Sequence, residues 1–182
     1  MFLLNFCRAN CEYVLVSETE LLDFYEAAVK AGENEIVGAL VGVVTDEGYL
    51  VLSIFKYKGT SSPVSVTYNQ LENSFLPAGL ENLGTIHTHV GFGAYLSSTD
   101  LANLRKSKLN RIALVMDPKK FEIKAFNKNG KQIRLKVVED HEIFSKVKVK
   151  IFYKYGIPFR VYTLASADYL EKATVKYHID SR

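Results

Sequence analysis

The sequence predicts a mixed α+β fold built from paired strands and few helices. Three observations carry that reading. The β-branched, glycine-punctuated run from Ile36 to Val44 meets a turn at Asp46-Glu47-Gly48 and a second apolar run from Tyr49 to Tyr57, the pattern of a hairpin. A series of short strands follows at Leu83–His89, Arg111–Met116, Phe121–Phe126 and Lys131–Val138. Only two segments carry a clear helical pattern, one after Ser17 and one after Ser97, so strands dominate and the helices pack around them.

In chain order, Tyr13–Val16 reads as a strand. Ser17 is placed to cap a helix, with Glu20 three residues on as the partner of a capping box. Leu21, Leu22, Phe24, Tyr25, Ala28 and Val29 recur at helical spacing, and Gly32 ends the helix. After the first hairpin, Gly59–Pro63 reads as a loop and Tyr68–Phe75 as a short helix. Leu83-Gly84-Thr85-Ile86-His87-Thr88-His89 is a buried strand. A glycine-containing loop leads to a helix over Ser98–Ser107. Asn129-Gly130 is a turn, and Lys131–Val138 alternates as a half-exposed strand does. Beyond Asp140, the residues Ile143, Phe144, Val147, Ile151 and Phe152 fit a helical face, while Val147, Val149 and Ile151 fit one face of a strand, and both readings stand. The expected organisation is one domain over residues 1–138 and a C-terminal extension over 139–182.

The chain has 182 residues, enough for a sizeable core, with 48% hydrophobic and 24% charged residues. No apolar run approaches the roughly 20 residues that span a bilayer. The apolar start, Met1–Phe6, lacks the basic flank and cleavage site of an export signal. A cytoplasmic protein without membrane association is therefore expected. The cysteines, Cys7 and Cys11, are too few for a disulfide framework. Charge is uneven. Residues 1–100 carry 4 basic and 12 acidic side chains, residues 101–182 carry 19 and 8. The basic residues are scattered among apolar ones, as on a solvated surface, and nucleic acid is not an expected partner.

The chemistry begins at His87-Thr88-His89. Residues two apart on a strand face the same side, and two imidazoles on one rigid face are half of a zinc site. Catalytic zinc takes three protein ligands and leaves one position open. Asp100, in the first turn of the following helix, offers the third ligand. Ser97 through Asp100 is also close to a helix cap, and a cap fixes where Asp100 points. A hydrolytic zinc site also needs a proton carrier. Glu35, at the mouth of the apolar strand, fits that need. Glu33 reads as a solvated charge.

Taken together, Glu35 followed by Gly38-x-Leu40-x-Gly42, then His87-x-His89, seven residues, Ser97, two residues and Asp100 resembles the signature of the JAMM (MPN+) zinc metalloproteases. The resemblance spans roughly Tyr13 to Val138. Gly91-Phe92-Gly93 and Leu96-Ser97 are similar to the loop of the proteasome-lid and signalosome members. Thr88 and Val90 stand where such members usually have Ser and Pro, which leaves the ligands in place and is expected to loosen the loop.

The resemblance implies a curved mixed β-sheet flanked by helices, related to the cytidine-deaminase fold. It implies one catalytic zinc on His87, His89 and Asp100, Glu35 as general base and then acid, and Ser97 as hydrogen-bond donor to the oxyanion. It further implies a hydrolase that cleaves isopeptide bonds between a ubiquitin-fold modifier and lysine, with an activating complex as a further partner. The thin modifier tail is expected to lie along a sheet edge, covered by the stretch from Gly59 to Leu80. Processing of a ubiquitin-like sulfur carrier and a non-catalytic scaffold are the alternative readings.

Overall fold

The computed structural model describes residues 13–46, 48–57, 60–62, 65–67, 72–73, 76–154 and 156–164. The elements run β1 (Tyr13–Ser17), α1 (Glu18–Ala31), β2 (Val37–Val44), β3 (Gly48–Lys56), β4 (Thr60–Ser62), β5 (Ser65–Thr67), β6 (Glu81–Thr88), α2 (Ser98–Lys106), β7 (Ile112–Asp117), β8 (Glu122–Asn127), β9 (Gln132–Val138), α3 (Asp140–Phe144), β10 (Val147–Lys154) and β11 (Ile157–Leu164).

Seven strands form one mixed sheet in the order β1-β3-β2-β6-β7-β8-β9, and β1 pairs in parallel with β9 to close it into a barrel. β1–β3 and β6–β7 are also parallel, and the remaining pairs are antiparallel. The predicted mixed sheet with few helices is thus present, curved to the point of closure. Closure leaves no free edge in this sheet for an added strand. The edges among the described residues belong to the small sheets β4–β5 and β10–β11.

β1 shows why its residues are almost uniformly apolar. Val14 and Val16 join one buried cluster with Phe24, Leu40, Leu83, Ile86, Ile112 and Leu114. Leu15 joins a second with Leu50, Leu52, Val138, Ile143 and Val147. A strand covered on both faces has no polar side to show. Phe24 anchors α1 on the first cluster, and burial of a side chain that size contributes roughly 1.5–3 kcal/mol. Leu22 and Val29 of the predicted helix face are instead exposed.

The motif glycines are set by close approach. A Cβ on Gly42, where the β2–β3 register shifts, would lie 1.7 Å from the Leu50 carbonyl oxygen. At Gly38 it would sit 3.0 Å from both Ile54 Cγ2 and the Phe55 carbonyl oxygen.

Several expectations change in detail. Ser17 caps α1 by accepting from the Glu20 N–H at 3.3 Å. Glu20 does not return the favour. Its carboxylate accepts from Ser53 Oγ at 3.0 Å and the Ile54 N–H at 2.6 Å, tying the helix to β3. Part of the predicted Gly59–Pro63 loop is the hairpin strand β4, paired with β5. The predicted helix at Tyr68–Phe75, the two cysteines and everything past Leu164 lie largely or wholly outside the described residues. The ambiguous C-terminal stretch uses both of its patterns in turn: Ile143 belongs to the short helix α3 and Val147 to the strand β10, and both pack on the second cluster. No helix among the described residues is long and apolar enough to cross a membrane.

Candidate metal centre

The end of β6 carries His87, buried on the strand, and His89 lies just beyond its last residue, Thr88. Across from them, α2 starts with a full capping box. Ser97 Oγ accepts from the Asp100 N–H at 3.1 Å, while Asp100 Oδ2 accepts from the Ser97 N–H at 2.9 Å and from Ser97 Oγ at 2.6 Å. The cap aims Asp100 at the histidines. Asp100 Oδ2 lies 3.5 Å from His87 Nε2 and 3.4 Å from His89 Nε2, and the two Nε2 atoms are 3.2 Å apart. Among the described residues, His87, His89 and Asp100 are the group able to hold a metal ion.

This triangle fits zinc. An ion with tetrahedral bonds of about 2.0–2.1 Å holds its ligands about 3.3–3.4 Å apart, and two imidazoles with one carboxylate is a catalytic donor set that leaves a fourth position open. The electrostatics agree. Burial alone would raise the pKa of Asp100, but hydrogen bonds to His87, His89 and Ser97 outweigh it and hold the carboxyl well below its usual range. His89 is pulled above the ordinary imidazole value, first by its hydrogen bond to Asp100, against an opposing effect of burial. On the other side of the ring, Nδ1 is buried with no hydrogen-bond partner among the described residues, and the Gly93 backbone adds a small upward push to the His89 pKa.

Glu35 lies in the same cleft, of about 530 Å³, whose lining includes His87, His89, Ser97 and Asp100. Glu35 is only 7% exposed. Burial raises its pKa. The charges of His89 and His87 offset part of that rise, and Asp100 adds to it. The rival carboxylate, Glu33, points outward and pairs with Lys119 at 2.7 Å. The five residues singled out from the sequence therefore share one cleft.

Other residues beside the site were not singled out from the sequence. Asp117, at the end of β7, is fully buried and receives four backbone N–H groups: Gly91 at 2.9 Å, Gly93 at 2.6 Å, Lys119 at 3.0 Å and Lys120 at 3.3 Å. Burial would raise its pKa, and these donors more than reverse that. Glu122 accepts from the Ala94 N–H at 3.0 Å. The loop after His89, expected to be loosened where Val90 replaces a proline, is thus pinned from β7 and β8, and Val90 itself is buried. Tyr95 packs edge-on against His89, with ring centres 5.1 Å apart. The one sequence cue for Asp117 was its place before Pro118, which reads as a turn.

The fold agrees with what the chain resembles. The family model for prokaryotic homologs of the JAB domain matches residues 17–128, and the chain belongs to this JAB/MPN family. COP9 signalosome complex subunit 5 of Eremothecium gossypii is 30% identical over 107 residues, covering 51% of this chain and 25% of that protein. The same subunit of Kluyveromyces lactis is 27% identical over 129 residues, covering 62% and 34%. The match thus spans a quarter to a third of the length of these relatives. A protein from Desulfitobacterium hafniense, solved in solution, shares the fold with a TM-score of 0.54 and 18% identity, over 71% of this chain and 97% of that one.

Proposed function

We propose that the chain is a zinc-dependent isopeptidase that cleaves the bond between the C-terminal carboxyl of a ubiquitin-fold modifier and a lysine amine. The observation that carries this reading is a buried carboxylate, Glu35, in one cleft with three metal-ligating atoms 3.2–3.5 Å apart. His87, His89 and Asp100 would hold zinc, which when bound supplies the positive charge that activates water and polarises the scissile carbonyl.

Glu35 takes the proton from the attacking water and returns it to the departing amine. Burial raises its pKa, which moves the carboxyl toward the range in which one group can both accept and donate a proton. Ser97 donates to the oxyanion, which requires its hydroxyl hydrogen to turn from Asp100 Oδ2 toward the substrate. A donor in that role is worth about 2.7–4 kcal/mol in the transition state. Both curated relatives are subunits of a complex by name, and an activating partner is part of the proposal.

The test is zinc content together with chelator-sensitive cleavage of a lysine-linked ubiquitin-fold conjugate. The native chain is expected to bind one zinc and cleave. Glu35→Gln is expected to keep zinc and lose turnover by roughly 10²–10⁴-fold. His89→Ala is expected to lose both. Cleavage retained in either variant would refute the assignment of these residues. A native chain without zinc would refute the enzyme reading and favour the scaffold.

A further inference from the structure

We propose that Thr88, between the two histidines, is a positioning residue that fixes Glu35 through the Ile36 peptide. The proposal rests on the reading of Glu35 as proton carrier and names the side chain that sets its place.

β2 and β6 run antiparallel with Val37 opposite His87, so Ile36 and Thr88 are the next pair. In a hydrogen-bonded antiparallel pair each residue's N–H reaches the other's carbonyl. Here only one half of that exchange is made by backbone. The Thr88 N–H donates to the Ile36 carbonyl oxygen at 3.1 Å, but the Ile36 N–H donates to Thr88 Oγ1 at 2.9 Å. The side chain stands in for the carbonyl. The β2–β6 ladder ends at Val37 opposite His87, while the β6–β7 ladder runs on through Thr88 opposite Met116, and the His89 N–H donates to the Met116 carbonyl oxygen at 2.9 Å. The sheet therefore forks at Thr88. One branch ends in Glu35 and the other carries His89 and the pinned loop.

Thr88 is fully buried and its bond to the Ile36 N–H is partly shielded from solvent, so removing the acceptor costs part of a hydrogen bond. The peptide between Glu35 and Ile36 is a rigid plane. A hydrogen bond that fixes the Ile36 N–H fixes the Glu35 carbonyl and Cα as well, and the carboxylate hangs from that Cα. A proton carrier works only within hydrogen-bond reach of the proton it takes. The hydroxyl, present in both Thr and Ser and absent in Val, is the feature that matters.

The experiment compares Thr88→Val with Thr88→Ser in the full chain, by residue-resolved amide exchange, zinc content and turnover. In Thr88→Val, the Ile36 amide is expected to exchange at least about tenfold faster, with Leu40 in the interior of β2 unchanged. Zinc content should stay at the native level. Turnover should fall about tenfold to a hundredfold in kcat with KM unchanged, the cost of a small misplacement of a reacting group. Thr88→Ser should restore exchange and turnover to within about twofold. In a Glu35→Gln background, Thr88→Val should cost no further turnover, because it acts through Glu35. Unchanged Ile36 exchange in Thr88→Val overturns the proposal, and so does an equal loss in the Glu35→Gln background. Thr88→Ala, which also lacks the acceptor, takes the place of the Val variant if that variant does not fold. A native chain that holds no zinc refutes the isopeptidase reading, while the exchange comparison still decides whether Thr88 holds the Glu35 peptide.

Discussion

Replacing Asp117 with Asn changes one atom at the point where β7 meets the loop after His89. Oδ1 carries the bonds from Gly91, Lys119 and Lys120, and Oδ2 carries the bond from Gly93 at 2.6 Å. An Asn amide keeps the first oxygen and sets an NH₂ group against the Gly93 N–H, donor against donor. The lost bond is to a charged acceptor, worth about 1.5–3 kcal/mol, and the buried N–H left unmet adds to the cost. Relief from burying a charge offsets part of this. A net loss of about 2 kcal/mol at neutral pH is expected, a drop in Tm of about 4–8 °C for a chain this size.

The pH dependence separates this cause from simple misfit. The folded pKa of Asp117 is depressed by its backbone donors. Its contribution is therefore fully present above the unfolded carboxyl value, about 3.9, and is lost as pH falls through the folded pKa. Asn has no such titration. Stability of the native chain and Asp117→Asn, measured by denaturant unfolding of metal-stripped protein from pH 7 to pH 3, should differ most at pH 7 and converge in acid. Curves that stay parallel over that range, or a Tm that does not move, would refute the argument that the ionised carboxylate holds this loop.

Two further predictions follow from burial and close approach. The folded pKa of Glu35 is raised by burial, so the residue contributes stability below its unfolded pKa and loses it as pH rises through the folded value. Metal-stripped Glu35→Gln should accordingly gain on the native chain between pH 4 and pH 8 in thermal unfolding. A gap that narrows with rising pH would contradict this. Gly42→Ala places a methyl 1.7 Å from the Leu50 carbonyl oxygen, and should destabilise by about 3 kcal/mol, at the upper end of ordinary overpacking. A midpoint in denaturant within error of native would show that the β2–β3 pairing can open to admit it.

Much of the site was legible because its residues sit on regular local structure. His87 and His89 share a face by strand period alone, and Ser97 and Asp100 stand at the spacing of a capping box that then forms in full. Where local pattern competes with a distant partner, the sequence was less informative. Glu20 has the position of a box partner, yet its carboxylate reaches 34 residues away to the Ile54 N–H. Leu22 and Val29 share the helical period of Phe24 and Ala28, yet only the latter two meet the sheet.

By itself the sequence determined the seven strands of the main sheet, the two longer helices, the family pattern and the candidate donor set for a metal, since each depends on periodicity, capping or short spacing. Only the tertiary structure decided that the sheet closes through β1 and β9, that Glu35 is buried in one cleft with the candidate metal ligands 52 to 65 residues beyond it, and that Asp117 and Thr88 hold the two sides of the site. The roles of Asp117 and Thr88 depend on backbone N–H groups that meet a side chain in place of a backbone carbonyl where strands part. Which distant side chain replaces the missing partner is set by how the strands cross in space, and no residue spacing records it.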